Sequence, residues 1–183
     1  MEADKLKTVV ETADLLNRAL RKVLVTDRGL HAETLVAAAS RMAGTLLLRE
    51  VVPEVDRLEP GTVVLSDAAN RRGPELINTL LVTLAQLGHG DIDQQRLAGS
   101  QATTAMSRLT LAETQRLLEP WYRKIADVAG LSLIEVAAAA AMTTALVIHD
   151  CCPVLDVQTG CSIAIHGLVE STRTVPLQFA AAR

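Results

Sequence analysis

Residues Val136 to Ile148 read VAAAAAMTTALVI, an uncharged run preceded by Glu135 and followed by His149-Asp150. Its reading decides the fold class. A membrane span needs about 20 apolar residues, and this run is shorter, so it predicts the buried central helix of a bundle. Ala137, Ala141 and Ala145 recur at every fourth position, a spacing that lets a neighbouring backbone approach closely. Ser132 and Glu135 form a capping-box pattern ahead of the run, and Pro153 ends the helix at Cys152.

Upstream, Leu6, Val9, Ala13, Leu16, Leu20 and Val23 alternate at three- and four-residue spacing, the stripe of a helix that ends near Val25. A second helix, roughly His31 to Glu50, carries the stripe Leu35, Ala39, Met42 and Leu46. Its Ala37, Ala38, Ser40 and Gly44 are small enough for close helix approach. Pro53 and Pro60 mark a surface connection before the β-branched run Thr62 to Leu65, which predicts one short strand. Gly73-Pro74 predicts the N-terminus of a third helix, running to about Leu87 with Leu76, Leu80, Leu84 and Leu87 on one face and Ile77 and Leu81 widening it. Gly88 to Met106 reads as a long polar connection. Thr110 and Glu113 open a further helix by a capping box, Pro120 predicts a kink or restart, and Trp121, Ile125 and Val128 continue its apolar face to Gly130.

Downstream of Pro153 the pattern changes. Val154 to Gln158 and Cys161 to His166 are β-branched or alternating runs around Thr159-Gly160, which predicts a hairpin. Leu168 to Val175 reads as a further strand before Pro176, and Ala180 to Arg183 as a loose end. The fold class expected is mainly α (α+β): one domain over residues 1–183, a multi-helix bundle with a small C-terminal β-hairpin.

Composition narrows the function classes. The 183 residues are 49% hydrophobic and 21% charged, the balance of a packed globule. Trp121, Tyr122 and Phe179 are the only aromatics, too few for a platform on which successive bases or sugars stack. Eighteen Lys and Arg against 21 Asp and Glu give a net charge of -3, so no positive field draws a phosphate backbone, and nucleic acid is not an expected partner. Met1 to Lys7 carries acidic residues with no apolar run behind it, which predicts no secretory signal and a cytoplasmic location. In that reducing setting Cys151, Cys152 and Cys161 are expected as free thiols.

The chemistry-bearing residues concentrate at His149-Asp150-Cys151-Cys152, with Cys161 and His166 beyond. Imidazole and thiolate are preferred zinc ligands, and His149 and Cys152 share a helix face. Cys161 and His166 are five apart and point to opposite faces of a strand, and the chain has no C-x-x-C or H-x-x-x-H pair. The expectation is therefore small thiols packed beside a helix end, with no metal and no cofactor. A Cys–His nucleophile in the same cluster is the alternative, but Asp150 diverges from adjacent His149 by about 100° and cannot orient it. Glu135 reads as a capping residue rather than a catalytic acid.

Arg71, Arg72 and Gly73 form a second candidate. If they frame a helix N-terminus, its free N–H groups and partial positive charge suit a small anionic ligand, while a solvated Arg-rich turn is the plainer reading. No dinucleotide or P-loop pattern accompanies them. His31 and His89 have no partner legible in sequence. The surplus of apolar helical faces predicts a non-enzymatic binding or assembly module that forms a homodimer through the Leu16 and Leu20 seam of the first helix, with no membrane partner. The alternative is a small metal- or thiol-dependent enzyme built on His149, Cys151, Cys152, Cys161 and His166.

Overall fold

Four polar residues set four of the helix starts. Ser66 accepts the Ala69 N–H at 3.2 Å, Thr110 the Glu113 N–H at 3.2 Å and Asp156 the Thr159 N–H at 3.0 Å, while the Glu135 carboxylate accepts the Ser132 N–H at 2.9 Å. The computed structural model describes residues 3–98 and 103–178. Among them the chain forms α1 (Ala3–Leu24), α2 (Ala32–Val51), α3 (Asp67–Gln86), α4 (Gln94–Ala98), α5 (Leu111–Ala129), α6 (Leu133–Cys151) and α7 (Val157–Thr172), with 3-10 turns at Val55–Arg57 and Thr104–Met106. The loose end expected at Ala180–Arg183 and residues 99–102 of the expected connection lie outside the described residues.

The protein is mainly helical, and the predicted hairpin is not there. Val157 to Thr172 is one helix, and no strand occurs among the described residues. Its β-branched residues are overruled by packing, because Gly160 and Gly167 let α7 close onto its neighbours. A Cβ on Gly160 would lie 3.2 Å from Ile148, and one on Gly167 would meet Ser40 and come within 3.4 Å of the Ala37 carbonyl. The strand predicted at Thr62 to Leu65 reduces to a single antiparallel bridge between Val63 and Thr174. Three backbone bonds surround it: Gly61 N–H to the Val175 carbonyl, Val64 N–H to the Arg173 carbonyl and Val175 N–H to the Thr62 carbonyl, each 2.8 Å.

The helix at the centre is α2 rather than α6. Every residue from Thr34 to Arg49 is buried, whereas Ala138, Met142 and Leu146 leave one stripe of α6 partly open. By length and composition α6 is apolar enough to cross a membrane, yet 56% of that stretch is buried within the bundle. Three neighbours run parallel to their partners. Thr45 and Arg49 of α2 meet Gln115 and Glu119 of α5, Ser40 and Gly44 of α2 meet Gly167 and Ser171 of α7, and α1 is pinned beside α6 by Lys5–Glu135 at one end and Arg21–Asp150 at the other. Midway along that pair the Thr143 hydroxyl donates to the Ala13 carbonyl at 2.9 Å.

Burial of charge on α2 forces partners onto it. Arg41 donates to Glu170 at 2.8 Å and to the Leu109 carbonyl at 2.6 Å, and Arg49 donates to Glu119 at 3.0 Å, to Asp56 and to the Leu177 carbonyl at 2.6 Å. These bonds tie the segment before α5 and the C-terminal segment onto the central helix. Pro120 does not divide α5, which is helical from Leu111 to Ala129 and ends on Gly130 at a left-handed φ of 65°.

Candidate functional site

A groove of about 620 Å³ lies between α1 and α5. Its position follows from a register the sequence pattern missed by one residue. Leu118, Tyr122 and Ala126 face the core of α5, so Trp121, Ile125 and Val128 turn toward α1, with Trp121 45% and Val128 82% exposed. On α1 the core takes Val9, Ala13, Leu16 and Leu20, which leaves Leu15, Ala19 and Val23 for the groove wall. The floor is therefore apolar from both sides.

Its edge is charged. Arg18, Lys22 and Lys124 line it together with Glu11, and all four are exposed. Glu11 stands 3.9 Å from Lys7, whereas Arg18, Lys22 and Lys124 join no ion pair among the described residues. An apolar trough with uncompensated cations suits an amphiphile of opposite charge.

The cysteine and histidine cluster is dispersed by the helical α7. His149 and Cys152 do share a face at the end of α6, but Cys151 and Cys161 are buried elsewhere in the core. Burial pushes the Cys151 thiol up, against the lowering influence of Arg21, and pushes Cys161 up to about 12. All three thiols are free. His166 is exposed and bonds Thr104 through Nδ1 at 3.2 Å, on the rim of a polar cavity of about 380 Å³ that also holds the Arg41–Glu170 pair. The residue that does join His149 and Cys152 is His89, which follows α3. Its Nε2 lies 2.9 Å from His149 Nδ1 and 3.6 Å from Cys152 Sγ. Among the described residues no group of three or more His, Cys, Asp or Glu has the arrangement to hold a metal ion.

The structure moves the helix start that framed Arg71, Arg72 and Gly73. α3 begins at Asp67 behind the Ser66 cap, so these residues occupy its second turn and Pro74 lies inside the helix. Asp67 is the charged residue of the first turn, Arg71 and Arg72 are exposed, and Gly73 is buried. The helix N-terminus expected to complete an anion site is therefore elsewhere. His31 bonds Thr34 at 2.9 Å and stands 3.2 Å from Glu33 at the start of α2.

The chain matches no protein-family model, no curated protein and no solved structure. The geometry of its own residues carries the functional reading.

Proposed function

We propose that the protein is a non-enzymatic binding module whose α1–α5 groove receives the apolar face of an amphipathic helix with acidic residues along its edges. The observation that carries this reading is the pairing of an apolar trough, with Trp121 in its wall, and three rim cations, Arg18, Lys22 and Lys124, that join no ion pair among the described residues. Helix-in-groove recognition uses this combination: apolar anchors enter the trough, and the flanking charges choose the partner and speed its arrival. A half-exposed Trp is also the side chain most often found carrying the binding energy of such a site. A cytoplasmic location and assembly into homodimers belong to the same proposal. The enzyme alternative is less supported, because Cys151, Cys161 and His166 do not converge with His149 and Cys152.

Trp121 is the only tryptophan in the chain, so its emission reports on the groove alone. The probes are two synthetic amphipathic peptides of about five helical turns, alike in their Leu face and flanked by Glu in one and Lys in the other. The Glu peptide is expected to move Trp121 emission to shorter wavelength, with affinity that falls as salt is added. Changing Lys22 and Lys124 to Glu is expected to reverse the preference. No response to either peptide, or an equal response to both, overturns the reading.

A further inference from the structure

We propose that the polar cavity walled by α2, α7 and the segment before α5 binds a small monocarboxylate that carries hydroxyl groups, with the carboxylate on Arg108 and His166 and the hydroxyls on Glu170. The site is independent of the α1–α5 groove and takes a ligand of opposite character.

The walls hold charge in fixed positions. Arg41 of α2 is only 3% exposed, yet it lines this cavity of about 380 Å³. Its guanidinium donates to Glu170 of α7 at 2.8 Å through Nε and to the Leu109 carbonyl at 2.6 Å through Nη1. Ser107 to Thr110, which lie outside any helix, form another part of the lining and are pinned by their own bonds. The Arg108 N–H donates to Thr34 Oγ1 at 2.9 Å, and the Leu109 N–H to Ser107 Oγ at 3.1 Å. A wall ordered before the ligand arrives lowers the entropy lost on binding.

The groups on that lining select the ligand. Arg41 and Glu170 cancel each other, whereas Arg108 joins no ion pair among the described residues. One uncompensated guanidinium calls for one negative charge, and its planar fork matches a carboxylate. His166 lines the same cavity, and Thr104 holds its Nδ1 at 3.2 Å. With the Thr104 hydroxyl as donor in that bond, Nε2 carries the proton and supplies a second donor for the carboxylate. Glu170 gives the ligand an acceptor: Oε2 binds Arg41 closely, but Oε1 lies 3.5 Å from Nη2 and keeps lone pairs for a ligand hydroxyl. Thr103 accepts the Ala105 N–H at 3.2 Å and retains its own proton to donate. The Glu170 carboxylate disfavours a dianion, and an acid without hydroxyls leaves these polar groups without a ligand partner.

Titration calorimetry of the full chain tests this with probes of equal chain length: gluconate, hexanoate, which lacks the hydroxyls, and sorbitol, which lacks the charge. Gluconate is expected to bind at a single site, with hexanoate and sorbitol each about tenfold weaker. Arg108→Gln is expected to weaken gluconate binding about tenfold and Arg108→Lys less, since lysine keeps the charge but loses the fork. His166→Ala is expected to weaken it about threefold. Arg108 is exposed, and only its backbone N–H is bonded among the described residues, so Arg108→Gln is expected to keep the wild-type Tm. Trp121 emission is expected to stay unchanged as gluconate binds, which separates this site from the groove. No saturable heat with gluconate, equal affinity for gluconate and either analogue, unchanged affinity in Arg108→Gln or His166→Ala, or a shift of Trp121 emission overturns the proposal.

Discussion

Arg49 of α2 and Glu119 of α5 form an ion pair with side chains only 2% and 1% exposed. The Arg49 guanidinium donates to Glu119 at 3.0 Å, and Arg123 reaches the same carboxylate one turn along α5, also at 3.0 Å. One register lower, Gln115 donates to Thr45 at 3.1 Å and accepts the Leu177 N–H at 3.2 Å. The seam between α2 and α5 is thus polar inside an otherwise apolar core. Taking charges out of water costs several kcal/mol each, so the pair fixes the register of the two helices more than it adds to net stability.

Removing one partner is therefore far worse than removing both. Glu119→Leu leaves the Arg49 charge buried and is expected to cost about 3–5 kcal/mol, whereas Arg49→Met with Glu119→Leu is expected to recover much of that loss. Urea unfolding of the single and double variants measures the coupling. Additive losses would show that the two charges are not held as a pair.

Gly44 is expected to tolerate no side chain. A Cβ there would strike the Ser171 hydroxyl and lie 2.6 Å from the Leu168 carbonyl, so Gly44→Ala must push α7 away from α2. The expected loss is about 1–3 kcal/mol, despite the better helix propensity of alanine. Since the Leu168 carbonyl is backbone, adding Ser171→Gly should restore only part of it. Thermal denaturation of the two variants distinguishes crowding from a local hydroxyl clash.

Tyr122 is wholly buried, and its hydroxyl has no hydrogen-bond partner among the described residues. Burial raises its ionisation above the ordinary value of 10.0. Tyr122→Phe removes an unsatisfied polar atom and is expected to stabilise the protein by about 1 kcal/mol near neutral pH. A raised folded value means that the wild type keeps its stability below pH 10 and loses it as pH rises above 10, because the unfolded chain ionises first, so the advantage of Tyr122→Phe grows there. The wild type should therefore lose more stability than Tyr122→Phe between pH 10 and 12. Parallel pH dependence of the two proteins would refute the assignment.

The proposed homodimer cannot use Leu16 and Leu20 as its contact, since both are 0% exposed within a single chain. Charged replacements at these positions are expected to unfold the protein rather than dissociate it. The exposed apolar residues of α1, Leu6, Val10 and Leu15, offer the accessible alternative. Light scattering gives the mass, with a monomer near 19.6 kDa, and circular dichroism reports folding. A folded monomer from Leu16→Glu would place the seam at an interface after all.

Local chemistry and periodicity determined the helices that stand on their own signals. The stripe from Leu6 to Val23, the Thr110–Glu113 box and the Ser132–Glu135 pattern each carry their start, face or cap within a few residues. The C-terminal region does not, because its residues support two periods. Read in twos, Cys161 to His166 is a strand; read in helical steps, Gly160, Ala164, Gly167 and Ser171 form a small-residue stripe. Only contact with Ile148, Ser40 and Gly44 chooses between them, and those contacts lie far away in the chain. The same holds for charge. Arg41, Thr45 and Arg49 follow one another at four-residue spacing, yet nothing local says that this polar row is buried against Gln115, Glu119 and Glu170. His89 and Cys152 meet only because α3 ends beside α6, and the α1–α5 groove depends on a one-residue rotation of α5. Helix starts are settled by bonds spanning one turn. Which faces meet is settled by packing across the whole core, and there the tertiary structure alone decides.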